Sequence, residues 1–111
     1  MSSIEHEWQK LTSAIAKASE KGEQQTLLSI LLTPDEREAL VTRAKILHKL
    51  LNEDCSQRQI SQELGVGIAT VTRGSNELKH RSAQEQELVS FSDSNKSMQI
   101  FKIKRILLHI L

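Results

Sequence analysis

Aromatic side chains are scarce in this chain: one tryptophan, two phenylalanines and no tyrosine among 111 residues. A core built on stacked rings is therefore excluded, and leucine, isoleucine, valine and alanine must supply the interior. Cysteine is limited to Cys55, which rules out an intrachain disulfide and a thiolate metal cluster and suits a reducing cytoplasm. Charge of either sign is not in excess, for the formal net charge is only +1. Any affinity for nucleic acid then has to come from a local patch rather than from a polybasic tail. The first eight residues, Met-Ser-Ser-Ile-Glu-His-Glu-Trp, lack the cationic start and apolar run of a secretory signal, and no stretch is both long and uncharged enough to span a bilayer. His6, His48, His80, His109 and Cys55 form no nucleophile, base or metal constellation, so neither catalytic nor metal-binding residues are expected.

What is present is helical periodicity. Apolar residues at Ile4, Trp8, Leu11 and Ile15, with Ala14 and Ala18 beside them, define one face of a first helix that ends at Lys21-Gly22-Glu23. Trp8 falls in that stripe and is read as a core or interface residue. From Thr26 to Leu32 the apolar residues are too continuous for a one-faced surface helix, so burial on most sides is expected. A single chain exposing this run would aggregate. Thr33-Pro34-Asp35-Glu36 is a strong helix start, with a threonine cap, proline at the first position and two acids at the positive end of the dipole. That helix should reach about Asn52, and within it Arg43 on its own reads as a solvated arginine.

The most informative stretch is Ser56 to Lys79. Ser56 and Gln59 are spaced as a capping box, Ile60 and Leu64 put an apolar stripe on the inner face, and Gly65 supplies a left-handed stop. Val66 would pack in the corner, and Gly67 would release the chain into a second helix from Ile68, with Val71 and Leu78 inward and Ala69, Thr70, Thr72 and Arg73 outward. This is the pattern of a helix-turn-helix, and its outward residues are candidate DNA readers. Gly74 is unusual here, because mid-helix glycine costs roughly 1 kcal/mol relative to alanine. Two readings stand: close packing against another helix, or space for a small ligand behind the reading helix.

Leu32 to Leu40 together with Gly65 to Asn76 resembles the bacterial tryptophan repressor family, and the resemblance covers Thr33 to Lys79 without a gap. It implies an all-α fold: an intertwined helical homodimer with helix-turn-helix DNA-binding heads, the family-like domain covering 1–91 and the helix-turn-helix lying within 57–80. It implies a cytoplasmic repressor of tryptophan biosynthesis genes that binds double-stranded operator DNA when L-tryptophan, a corepressor rather than a cofactor, is bound. By that likeness Arg43 and Arg73 would sandwich the indole, Arg73 and Thr33 would hold the carboxylate, Gly74 would leave room for the ring, and the carbonyls of Ile30 and Leu32 would meet the ammonium. On the DNA side Arg58 matches a guanine contact, Ile68, Ala69, Thr70 and Thr72 match a face that reads bases largely through water, and Gln57, Lys45 and Lys79 would serve phosphates. Water-mediated readout is itself a stock illustration drawn from this family.

Two positions depart from the family. Where it has a serine meeting the ligand's ammonium, this chain has Glu77, which either pairs with that ammonium or folds back on Arg73. Ser61 replaces a lysine, which implies a weaker salt dependence of DNA binding. The sequence then continues through a Ser82-Ala83-Gln84-Glu85 capping box, a short helix reaching Leu88, Val89 and Phe91, a polar linker from Ser92 to Ser97, and an apolar, basic tail to Leu111 without family counterpart. The tail is open to reading as an added helix, a disordered appendage or the product of a frame change near the end of the gene, and an added helix packed on the dimer is preferred to a lipid- or DNA-touching segment. The alternative to the whole reading is a ligand-independent helix-turn-helix DNA-binding protein.

Overall fold

The structure, a computed structural model, describes residues 3–90; Phe91 and the linker and tail at 92–111 lie outside the described residues. Six helices follow in order: α1 Ser3–Glu20, α2 Gln24–Leu31, α3 Pro34–Asn52, α4 Gln57–Leu64, α5 Ile68–Lys79 and α6 Ala83–Glu87, with no strand among the described residues. The all-helical expectation is met. The described residues fall into two compact units divided between Val41 and Thr42, inside α3.

In the first unit α1 and α2 pack on each other across a tight turn. Gly22 takes φ +71°, the left-handed conformation that glycine adopts without a Cβ clash, and Lys21, Gly22 and Glu23 return their N–H groups to Ala18 and Ser19 carbonyls. No side chain of α1 or α2 is buried. The expected burial of 26–32 is thus not met within one chain: Leu27 and Leu28 are half-buried, whereas Ile30 is 76% exposed and Leu31 46%. The reason is geometric, since an eight-residue helix can lay only one face on α1. Trp8 is likewise 62% exposed.

The second unit holds the core. Ile46 of α3, Ile60 of α4 and Val71 of α5 are 0–1% exposed and pack together, with Leu50, Cys55, Leu64 and Val66 around them. The local signals act as their chemistry requires. Ser56 Oγ accepts the Gln59 N–H at 3.1 Å while Gln59 Oε1 accepts the Ser56 N–H at 2.8 Å. Gly65 ends α4 at φ +65°, and Val66 fills the corner. Leu78 is buried two turns further along the face begun by Val71.

α6 is shorter than its sequence suggests. Its Ser82–Glu85 capping box forms, but Leu88, Val89 and Ser90 bond to carbonyls three residues back and close the helix at Glu87. The Gln86 amide ties this end to α5 by donating to the Leu78 carbonyl at 2.9 Å, and Leu88 is left 78% exposed.

Candidate ligand and nucleic-acid sites

The second helix of the pair, α5, begins at Gly67, which has no side chain to cap it. Its first turns present Ile68, Ala69, Thr70, Thr72 and Arg73, all exposed, Ile68 by 49%. Arg58 on the first turn of α4 is exposed too, as are Lys45 and Lys79, and none of these cations has a partner among the described residues. Gln57 is half-buried because it is engaged: Thr72 Oγ1 donates to Gln57 Oε1 at 2.7 Å. That bond fixes the amide so that its two N–H donors remain for another group. Sequence reasoning placed both residues at the interface but missed their bond, which spans fifteen positions and has no local signal.

Ser61 is also occupied. Its hydroxyl donates to the Val66 carbonyl at 2.5 Å, and its own carbonyl accepts the Val66 N–H at 3.1 Å, so this residue braces the turn between α4 and α5. Lys49 is a second brace that the sequence did not disclose. It bonds Glu63 of α4 at 3.0 Å and Glu53 at 3.3 Å, and these two carboxylates, Glu63 first, raise its pKa.

The residues expected to hold a ligand divide between the two units. In the first, Thr33 caps α3 with a reciprocal pair: Glu36 N–H to Thr33 Oγ1 at 3.2 Å, and Thr33 N–H to Glu36 Oε1 at 2.9 Å. The Thr33 N–H and hydroxyl hold the Glu36 carboxyl below its ordinary range. This capping box was legible as Thr33-x-x-Glu36 but was read only as a cap and a dipole acid. It also explains the end of α2. The residue four on from Ile30 is Pro34, which has no N–H, and the residue four on from Leu32 is Glu36, whose N–H is taken by Thr33. The Ile30 and Leu32 carbonyls therefore lack their helical donors, at the negative end of the α2 dipole.

In the second unit, a Cβ placed on Gly74 would lie 3.3 Å from Ile46 Cγ2, 3.5 Å from Leu47 Cδ2 and 3.6 Å from Leu50 Cδ1. Gly74 is thus where α5 comes close to α3, so close packing accounts for this glycine without a ligand. Arg43 lies one turn before Leu47 on α3 and Arg73 directly precedes Gly74, so two exposed arginines flank the contact in sequence. Neither has a hydrogen bond or ion pair among the described residues. Glu77 takes a course that neither sequence reading anticipated: its Oε1 accepts from Arg81 Nη2 at 2.6 Å and Nε at 2.9 Å.

Comparison with known proteins bears on this arrangement. Residues 6–92 match the family described as Trp repressor protein. The chain belongs to the Trp repressor family. It is 58% identical over 80 residues to the Trp operon repressor homolog of Aliivibrio fischeri strain MJ11, covering 72% of this chain and 74% of that one. It is also 58% identical over 80 residues to that of Vibrio cholerae, covering 72% and 78%, and 51% identical over 83 residues to that of Vibrio atlanticus, covering 75% and 85%. Trp repressors are transcription regulators and not enzymes. The family match takes in all six helices except the first residues of α1, and it stops at residue 92, where the polar linker before the tail begins.

Proposed function

We propose that this chain is an L-tryptophan-activated repressor that binds operator DNA of tryptophan biosynthesis genes as an intertwined homodimer in the cytoplasm. The observation that carries the reading is the Arg73 guanidinium on α5, which has no hydrogen bond or ion pair among the described residues, beside the close approach at Gly74. A planar fork in that position suits both a carboxylate and the face of an indole.

Arg43 is the second stacking plane in this proposal, Thr33 donates to the carboxylate, and the undersupplied carbonyls of Ile30 and Leu32 accept from the ammonium. Arg58, Ile68, Ala69, Thr70 and Thr72 meet base edges, while Gln57, Lys45 and Lys79 hold phosphates. The dimer is supported by Trp8, Ile4, Ile30, Leu31, Leu40 and Val41, large apolar side chains 45–79% exposed in one chain. No helix among the described residues is long and apolar enough to cross a membrane.

Fluorescence anisotropy of a labelled palindromic operator duplex, titrated with and without L-tryptophan, tests the reading. A gain in affinity of tenfold or more with the amino acid is the expected result. Equal binding in both conditions replaces it with a ligand-independent DNA reader.

A further inference from the structure

Glu77 stands between two arginines on one helical row, four residues after Arg73 and four before Arg81, so spacing alone lets it pair with either. The structure shows one outcome. Both contacts from Arg81 converge on Glu77 Oε1, and Arg81 Nη1 reaches Glu85 Oε2 at 3.2 Å. Glu85 is itself fixed, because its other oxygen accepts the Ser82 N–H at 3.0 Å and its own N–H bonds Ser82 Oγ at 3.2 Å. A continuous run of bonds therefore leads from the cap of α6 through Glu85 and Arg81 to Glu77, while Arg73 has no partner among the described residues.

The preference has a physical cause. An acid four residues before a cation is the better order on a helix, and Arg81 lies at the end of α5 where the dipole favours positive charge. Glu85 adds a second anchor that Arg73 does not have. An arginine already paired to an internal carboxylate would have to surrender that pair before receiving a carboxylate from outside.

We propose that Arg81 is a positioning residue for the ligand site: by holding Glu77 toward α6 it keeps the Arg73 guanidinium open for the carboxylate of an amino-acid ligand. This rests on the reading of Arg73 as a ligand residue given above. Glu77, a departure from the family's serine, is then tolerated because Arg81 disposes of its charge. Without Arg81, Glu77 turns to Arg73 and competes with the ligand.

Calorimetry on the full chain tests this with L-tryptophan and with indole-3-propionate, which keeps the carboxylate and lacks the ammonium. Arg81→Ala and the more conservative Arg81→Gln should each weaken both ligands by the same factor, roughly two- to fivefold for an exposed pair. Adding Glu77→Ser to either should restore affinity to that of Glu77→Ser alone. Unchanged affinities in the Arg81 variants, or a loss that persists in the double variants, would overturn the proposal and leave Arg81 as a surface brace.

A second readout needs no ligand. The Arg73 Nε–Hε resonance should move in Arg81→Gln and return in Arg81→Gln/Glu77→Ser, and a stationary resonance also defeats the proposal. Should the unaltered protein bind neither compound, the corepressor reading fails on its own, while the resonance still decides whether Arg81 governs Glu77.

Discussion

Thr72 on the outward face of α5 donates its hydroxyl to the amide oxygen of Gln57 on the first turn of α4, at 2.7 Å. The two helices are therefore joined on their exposed side, the one that meets DNA in the proposed function, as well as through their buried face. Thr72→Val keeps the shape and removes the bond, freeing the Gln57 amide to rotate. A neutral hydrogen bond contributes about 0.5–1.5 kcal/mol net, so operator affinity should fall roughly two- to tenfold. Because no charge is lost, anisotropy titrations across a salt series should give an unchanged slope.

Ser61→Lys should do the opposite. It restores a cation on α4 and should steepen the slope of log affinity against log salt by about one unit. It also removes the hydroxyl that braces the Val66 carbonyl, so urea denaturation should show a loss of about 1 kcal/mol alongside the gain in DNA affinity. A slope that does not change would remove this position from the phosphate contacts.

Truncation should separate the two units. Ile60 is fully buried between Ile46 and Val71, and Ile60→Ala should cost about 2–5 kcal/mol in denaturant titrations. Ile30 is 76% exposed in one chain, and in the proposed dimer a second copy covers it. Ile30→Ser should therefore act through association, shifting sedimentation at low concentration from dimer toward monomer. An unaltered dimer would take Ile30 out of the interface.

Acid should loosen the helix starts in a defined order of cause. The Thr33 N–H and hydroxyl lower the Glu36 carboxyl, and the Ser82 N–H followed by Arg81 lowers that of Glu85. A carboxyl with a depressed folded value stabilises fully above its unfolded value, near 4.5, and that contribution is lost as pH falls through the folded value. Thermal melts should be flat in this respect from pH 7 to 5 and decline below about 4.5. Glu36→Gln and Glu85→Gln should each flatten the decline, and an undiminished decline in the double variant would assign it to other groups.

Gly74→Ala sets helix propensity against space. Removing a mid-helix glycine gains roughly 1 kcal/mol, while the new methyl presses on Ile46 Cγ2 at 3.3 Å, whose side chain is fully buried and cannot retreat freely. Near-neutral stability is expected for alanine and a loss exceeding 2 kcal/mol for leucine. A clear stabilisation by alanine would show that the α3–α5 contact is looser than its distances imply.

The features legible in the sequence were those encoded within four residues. The Ser56–Gln59 and Ser82–Glu85 boxes, the left-handed Gly65 and the inward pair of Ile60 and Leu64 each need only their neighbours to be recognised. Gln57–Thr72 and Lys49–Glu63 were not legible, because they join residues fourteen or fifteen apart through a turn whose geometry has to be known first. Glu77–Arg81 had a local signal, an acid four before an arginine, but the resemblance drew attention to Arg73 instead. Exposure of Ile30 was misjudged for a different reason: an apolar run states that cover is needed without saying whether the same chain supplies it.

The absence of any buried side chain in α1 and α2 bears on gene dosage. In the proposed dimer those helices complete their burial by association, so the folded share depends on how many copies the cell holds. Each tenfold dilution subtracts about 1.4 kcal/mol from a two-chain assembly. On the proposed function, growth that outpaces synthesis then lowers operator occupancy twice over, through fewer molecules and through a smaller competent fraction of them, so that the protein would act as a gauge of its own abundance.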